Sequence, residues 1–173
     1  MDNNGNSDTV SQSWLIRHFD RYKKRSPWSF CWRITIEGLI VALAAVFLLN
    51  LLFHLPGRRF KAATLVIFIE IVLMAPVIET FICQAFPIFV ARVFRASFRI
   101  QVFVSLVVFA VPHFGYGIAS GICAGLTGGF YFGFTYAHWR QKSRWTAFWT
   151  TALSHSLHNG FVFVLALMIG VFE

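Results

Sequence analysis

The chain is expected to fold as an all-α, polytopic membrane bundle of about five transmembrane helices with its N-terminus inside. Three observations predict this. Of its 173 residues, 57% are hydrophobic and only 13% charged, more apolar surface than a water-soluble domain of this size can hide. The apolar residues come in runs of about 20, the length that crosses a bilayer core of about 30 Å. The 15 Lys and Arg residues gather at the ends of those runs rather than on one face. The net charge of +8 therefore reads as topogenic, and nucleic acid is not an expected partner.

Residues 1–13, MDNNGNSDTVSQS, are polar and turn-forming and are expected to be disordered. They lack the cationic start and short apolar core of a signal peptide. The next stretch, WLIRHFDRYKKRSPW, mixes aromatic and basic side chains. It suits an anionic membrane surface, or serves simply as a topogenic cluster. Residues 1–33 are thus assigned to a polar tail and a basic membrane-surface segment, and residues 34–173 to a transmembrane domain.

The first span is expected over about Ile34 to Phe53, with Glu37 four residues after Arg33 and able to meet it at the membrane edge. HLPGRRFK makes a short turn. The second apolar run, Ala62 to Ala91, would reach about 45 Å as a straight helix, so tilt or a break near Pro76 or Pro87 is expected. The third span is placed at about Ile100 to His113, the fourth at about Gly117 to Ala137, and the fifth at about Thr146 to Phe172. With the N-terminus inside, the tail and two inner loops hold all Lys and Arg except Arg58, Arg59 and Lys61, as the positive-inside rule requires. Cys31, Cys83 and Cys123 show no metal-ligand spacing and read as buried hydrophobes.

The fourth span carries glycines four apart, at 117, 121, 125, 129 and 133. They make a smooth face where another helix can approach closely.

Charged groups inside a membrane are expensive and tend to mark function. Counted from the nearest inner cation at about 1.5 Å per residue, Glu79, His113, His155 and Asn159 fall within one layer, roughly 16–22 Å deep. They come from three different spans, and His155 and Asn159 share a helix face. Glu70 lies near the outer side and about half a turn out of phase with Glu79. His18, His54 and His138 belong to the tail or the interfaces. His158 has the right depth but lies about 60° off the His155–Asn159 face. A carboxylate can act as a general base toward water, and histidine N–H or an asparagine amide can hold a developing oxyanion. This set suits a peptidase that needs no serine or cysteine nucleophile. The bland alternative is that the groups hydrogen-bond one another and only hold the helices together.

The motifs resemble the CPBP family of membrane glutamic proteases, which includes the CAAX prenyl endopeptidases and bacteriocin-processing enzymes. That family carries EExxxR, FxxxH and HxxxN or HxxxD on successive helices. Here IETFICQ places Glu79 at the first glutamate, FAVPH runs from Phe109 to His113, and HSLHN runs from His155 to Asn159. The likeness covers roughly residues 65–165. It implies that Glu79 activates water with help from His113, that His155 and Asn159 stabilise the oxyanion, and that no metal or other cofactor is used. The chain departs from the pattern at Thr80, where the second glutamate is expected, and at Gln84, where the arginine is expected. Both charges are lost together, leaving a neutral pair able to hydrogen-bond without an orphaned charge.

The expected activity is endoproteolysis of a membrane-associated peptide or protein, in a bacterial inner membrane. The chief rival is a non-cleaving membrane scaffold or immunity-type binding protein on the same fold. A zinc hydrolase using two histidines and a glutamate lacks HExxH. A proton-coupled transporter lacks the internal repeat. The oligomeric state and the identity of the substrate are not legible.

Overall fold

The computed structural model describes residues 21–22, 25–54 and 64–169. The 1–13 tail, most of the basic stretch that follows it and the turn after His54 lie outside the described residues. Five helices follow in order: α1 Pro27–Phe53, α2 Thr64–Val93, α3 Phe98–Phe114, α4 Ile118–Arg140 and α5 Arg144–Met168. Among the described residues there is no strand. Four helices are long and apolar enough to cross a membrane, and α3, also apolar, has 17 residues, about 26 Å at helical rise. The chain is an all-α bundle and a multi-pass membrane protein.

Serine side chains start three of these helices. Ser26, Ser97 and Ser143 accept from the backbone N–H groups of Ser29, Ile100 and Thr146, each answering a donor that has no partner within the helix. Pro27 follows Ser26 directly, where its fixed φ suits the first turn. α1 therefore begins seven residues ahead of the expected Ile34 and carries Trp28 and Trp32, packed edge-to-face at 5.6 Å, in its first turns.

The burial pattern is inverted relative to a water-soluble protein. Phe47, Leu52, Phe81 and Phe103 are exposed, whereas Thr35, Thr80, Gln84, Ser105, Thr135, Thr151 and Ser154 are buried. Lipid solvates the first group. Within the second, Thr35, Ser105, Thr135 and Ser154 answer backbone carbonyls within and between helices: Thr35 Oγ1 donates to Ser154 O at 3.3 Å, and Ser154 Oγ to Thr150 O at 2.8 Å. Cys31, Cys83 and Cys123 are free and buried. Glu37 accepts from the Tyr22 hydroxyl at 2.6 Å and the Tyr131 hydroxyl at 3.1 Å, so it ties the segment before α1 to α4.

α4 is the most buried of the long helices, and its glycine face explains why. A Cβ on Gly129 would lie 3.0 Å from Leu106 O, one on Gly133 3.2 Å from Val102 O, and one on Gly125 3.1 Å from the Ala110 Cα. The two backbones therefore touch along Val102, Leu106 and Ala110 of α3. Gly121 closes the row against the Phe114 ring. Gly117 is not part of it: it sits ahead of the helix at φ +111°, with nothing near its missing Cβ.

Gly129→Leu is expected to destabilise the bundle by about 1–3 kcal/mol, the usual range for overpacking, because backbone rather than a movable side chain opposes the new atoms. Reversible unfolding in mixed micelles measures it. Gly117→Leu should leave α3–α4 packing intact and act through its backbone conformation alone.

Candidate active site

The site depends first on how α2 survives two prolines. Neither breaks the helix. The backbone instead widens into i→i+5 turns over Ile69–Met74 and Thr80–Ala85, and each segment ends two residues before a proline. Proline lacks an N–H, and its ring crowds the carbonyl four residues back. A wider turn relieves the crowding but leaves carbonyls without donors. In the first segment Ala75 N–H reaches Glu70 O. The next bond in that register would run from residue 76 to Ile71 O, and Pro76 cannot make it. The Asn159 side chain of α5 makes it instead, donating from Nδ2 to Ile71 O at 2.9 Å. In the second segment Phe86 N–H reaches Phe81 O, and Ser105 Oγ of α3 donates at 3.0 Å to Cys83 O, the carbonyl four residues before Pro87 that the proline ring crowds.

These bonds set the register of α2 against α5. Ile71 meets Asn159, and Glu79 meets His155, so the two helices run antiparallel. Glu79 Oε2 lies 3.7 Å from His155 Nε2, with the histidine side chain 3% exposed and the glutamate 34%. That separation is beyond a hydrogen bond but close enough for a charge on one group to act on the other. His155 Nδ1 is buried with no hydrogen-bond partner among the described residues. A proton on Nε2 therefore faces the carboxylate, whereas one on Nδ1 would face nothing that accepts it.

Aromatic rings position the imidazoles. Phe132 of α4 stacks on His155 at 4.2 Å and 25°, and Phe109 of α3 meets His155 edge-on at 5.6 Å. Phe109 also stacks on His113 at 4.5 Å, so His113 reaches His155 through a ring. His113 Nδ1 lies 2.8 Å from Phe109 O. A carbonyl only accepts, so Nδ1 carries the proton and a neutral His113 offers Nε2 as a base.

The structure thus brings Glu79 and His155 together, with Phe109 and His113 beside them. It turns Asn159 onto the backbone of α2. His158 is buried and points toward α1, where it lines a cavity of about 10 Å³ with Thr35, Tyr131 and Ser154, the lower limit for one water. Thr80 and Gln84 are wholly buried, and their polar side-chain atoms have no hydrogen-bond partners among the described residues. The expected bond between them is not made. Both lie in the second wide turn, which opens the i, i+4 spacing that makes such residues neighbours in an α-helix. Among the described residues, no group of three His, Cys, Asp or Glu side chains is placed to hold a metal ion.

Sequence reasoning missed Phe132 and Ser105. Phe132 carried no separate signal, although it lies on the glycine-lined helix. Ser105 and the Asn159 bond could have been sought by asking which carbonyls Pro76 and Pro87 leave unanswered.

No protein-family model matches the chain, and neither a curated protein nor a solved structure does. The class that fold and site define is a multi-pass helical membrane protein with a glutamate–histidine pair between two of its helices.

Asn159→Leu is expected to destabilise the bundle by about 1 kcal/mol, between the mean for interhelical hydrogen bonds in lipid and the penalty for a buried orphan carbonyl. Pro76→Ala should remove most of that loss by restoring a backbone donor. The check is a double-mutant cycle on unfolding free energy, with coupling expected above about 0.5 kcal/mol.

Proposed function

We propose that the protein is an intramembrane glutamic endopeptidase of the CPBP kind, acting on a membrane-associated peptide or protein in a bacterial inner membrane. The observation that carries this reading is the 3.7 Å approach of Glu79 and His155 from two different membrane helices. The ordered motifs around Glu79, Phe109–His113 and His155–Asn159 support it.

In this reading the Glu79 carboxylate takes a proton from water as the water oxygen attacks the scissile carbonyl. The new C–O bond forms while the carbonyl π pair moves onto oxygen. His155 Nε2–H, held by Phe132 and Phe109, donates to that oxyanion. Collapse breaks the C–N bond, and the proton held by Glu79 passes to the leaving amine. His113, with its proton on Nδ1, presents Nε2 as an acceptor beside the reaction. Asn159 acts as a positioning residue: its amide fixes α2 so that Glu79 faces His155.

A non-cleaving scaffold or immunity-type binding protein is the second reading. The neutral Thr80 and Gln84 and the engagement of Asn159 with a backbone carbonyl favour it.

Purified protein in lipid is expected to cleave members of a membrane-peptide library. Glu79→Gln should keep the fold and lower the rate by about two to four orders of magnitude, the range for a lost general base. Equal rates for the two proteins would refute Glu79 as the base, and no product from wild type would favour the scaffold. Activity should also survive a strong chelator. A chelator-dead enzyme restored by zinc would replace the glutamate mechanism with a metal one.

A further inference from the structure

The turn between α2 and α3 holds a feature that the peptidase reading does not use. Arg92, Arg95, Ala96 and Gln101 line an open cavity of about 220 Å³ there. Neither arginine is paired with a carboxylate among the described residues. The first turn of α3 contains no acidic residue. Its Phe98 and Arg99 N–H groups fall in the first helical positions, where backbone donors lack helical partners and a positive potential favours anions.

Two details make this more than a cationic helix end. Arg95 closes α2 in the left-handed conformation, at φ 54°. Its N–H bonds Arg92 O, and Ala96 N–H bonds Ala91 O, each at 2.9 Å. Glycine adopts that position at least cost, yet the chain keeps a guanidinium there. Gln101, 7% exposed, donates from Nε2 to Ala96 O at 2.9 Å. Because a carbonyl cannot donate, Nε2 is the atom on Ala96, and Oε1 is left as a buried acceptor without a partner among the described residues.

From these residues we infer that the α2–α3 turn binds a phosphate group, supplied by the headgroup of an anionic phospholipid. The two guanidinium groups and the start of α3 take the phosphate oxygens. Gln101 Oε1 is an acceptor for a headgroup hydroxyl once the arginines turn onto the ligand. The turn joins two membrane helices, and Phe94 beside Arg95 is exposed, so the cavity lies at the depth where headgroups are found.

The test uses the full chain in nanodiscs of phosphatidylcholine, with and without phosphatidylglycerol. Lipid retained through extraction is counted by native mass spectrometry, and the thermal midpoint is read in parallel. Wild type should retain phosphatidylglycerol and gain midpoint from it. Arg92→Gln with Arg95→Gly should retain about thirty-fold less, from the attraction of two arginines to an anionic surface. Its midpoint in phosphatidylcholine alone should equal or exceed that of wild type, because glycine relieves the left-handed turn. If that variant does not fold, Arg95→Gly alone is read for the same loss. Arg140→Gln with Arg144→Gln, at the other basic turn, should keep wild-type retention. Equal losses in the two double variants would mean diffuse surface charge and overturn the site, as would full retention by Arg92→Gln with Arg95→Gly. A midpoint gain of the same size from inorganic phosphate in phosphatidylcholine discs would uphold the phosphate site and overturn its lipid source.

Discussion

A backbone carbonyl left without a donor inside a membrane must be answered by another helix, because lipid offers none. Pro76 and Pro87 create that demand in α2. Asn159 answers at Ile71 and Ser105 answers at Cys83. α2 is therefore fixed against α5 on one side and α3 on the other. Glu79 lies between the two prolines, and the first bond sets which α5 residue it meets.

The remaining sides of the site rest on close packing. Helices in lipid gain little from excluding water, so they rely on dispersion and close backbone approach. The glycines of α4 let α3 lie directly on its backbone along Val102, Leu106 and Ala110. That approach brings Phe109 and Phe132 into edge-on contact at 5.6 Å, and both rings then bear on His155. The imidazole is held by aromatic surfaces, with its Nε2 turned toward Glu79. Small residues on one helix and prolines on another thus serve one end: a single buried histidine facing one carboxylate.

Much of this was legible in the sequence, and the limits have physical causes. Run length and basic flanks showed five helices, because bilayer thickness and insertion charge act on sequence directly. The glycine ladder showed where α4 would be approached closely, and it failed only at Gly117, where a turn rather than packing requires glycine. Depth counting brought Glu79, His113, His155 and Asn159 into one layer. It could not say which of them would touch, since side-chain direction depends on local helix type. The wide turns before Pro76 and Pro87 changed the phase of α2, so Asn159 met Ile71 and the bond expected between Thr80 and Gln84 did not form. α1 began earlier than hydropathy implied, because Ser26 and Pro27 set its start by backbone chemistry rather than by apolar content.

The central claim is that Glu79 faces His155 in the membrane because the Asn159–Ile71 bond sets the register. The most direct measurement is a solid-state NMR dipolar-recoupling distance between the ¹³C-labelled Glu79 carboxyl and ¹⁵Nε2 of His155, in protein reconstituted in bilayers. Strong dephasing is predicted, as the 3.7 Å oxygen–nitrogen separation requires, and it should be much weakened in Asn159→Leu. Absence of dephasing in the wild-type protein, or equal dephasing in both, would contradict the account.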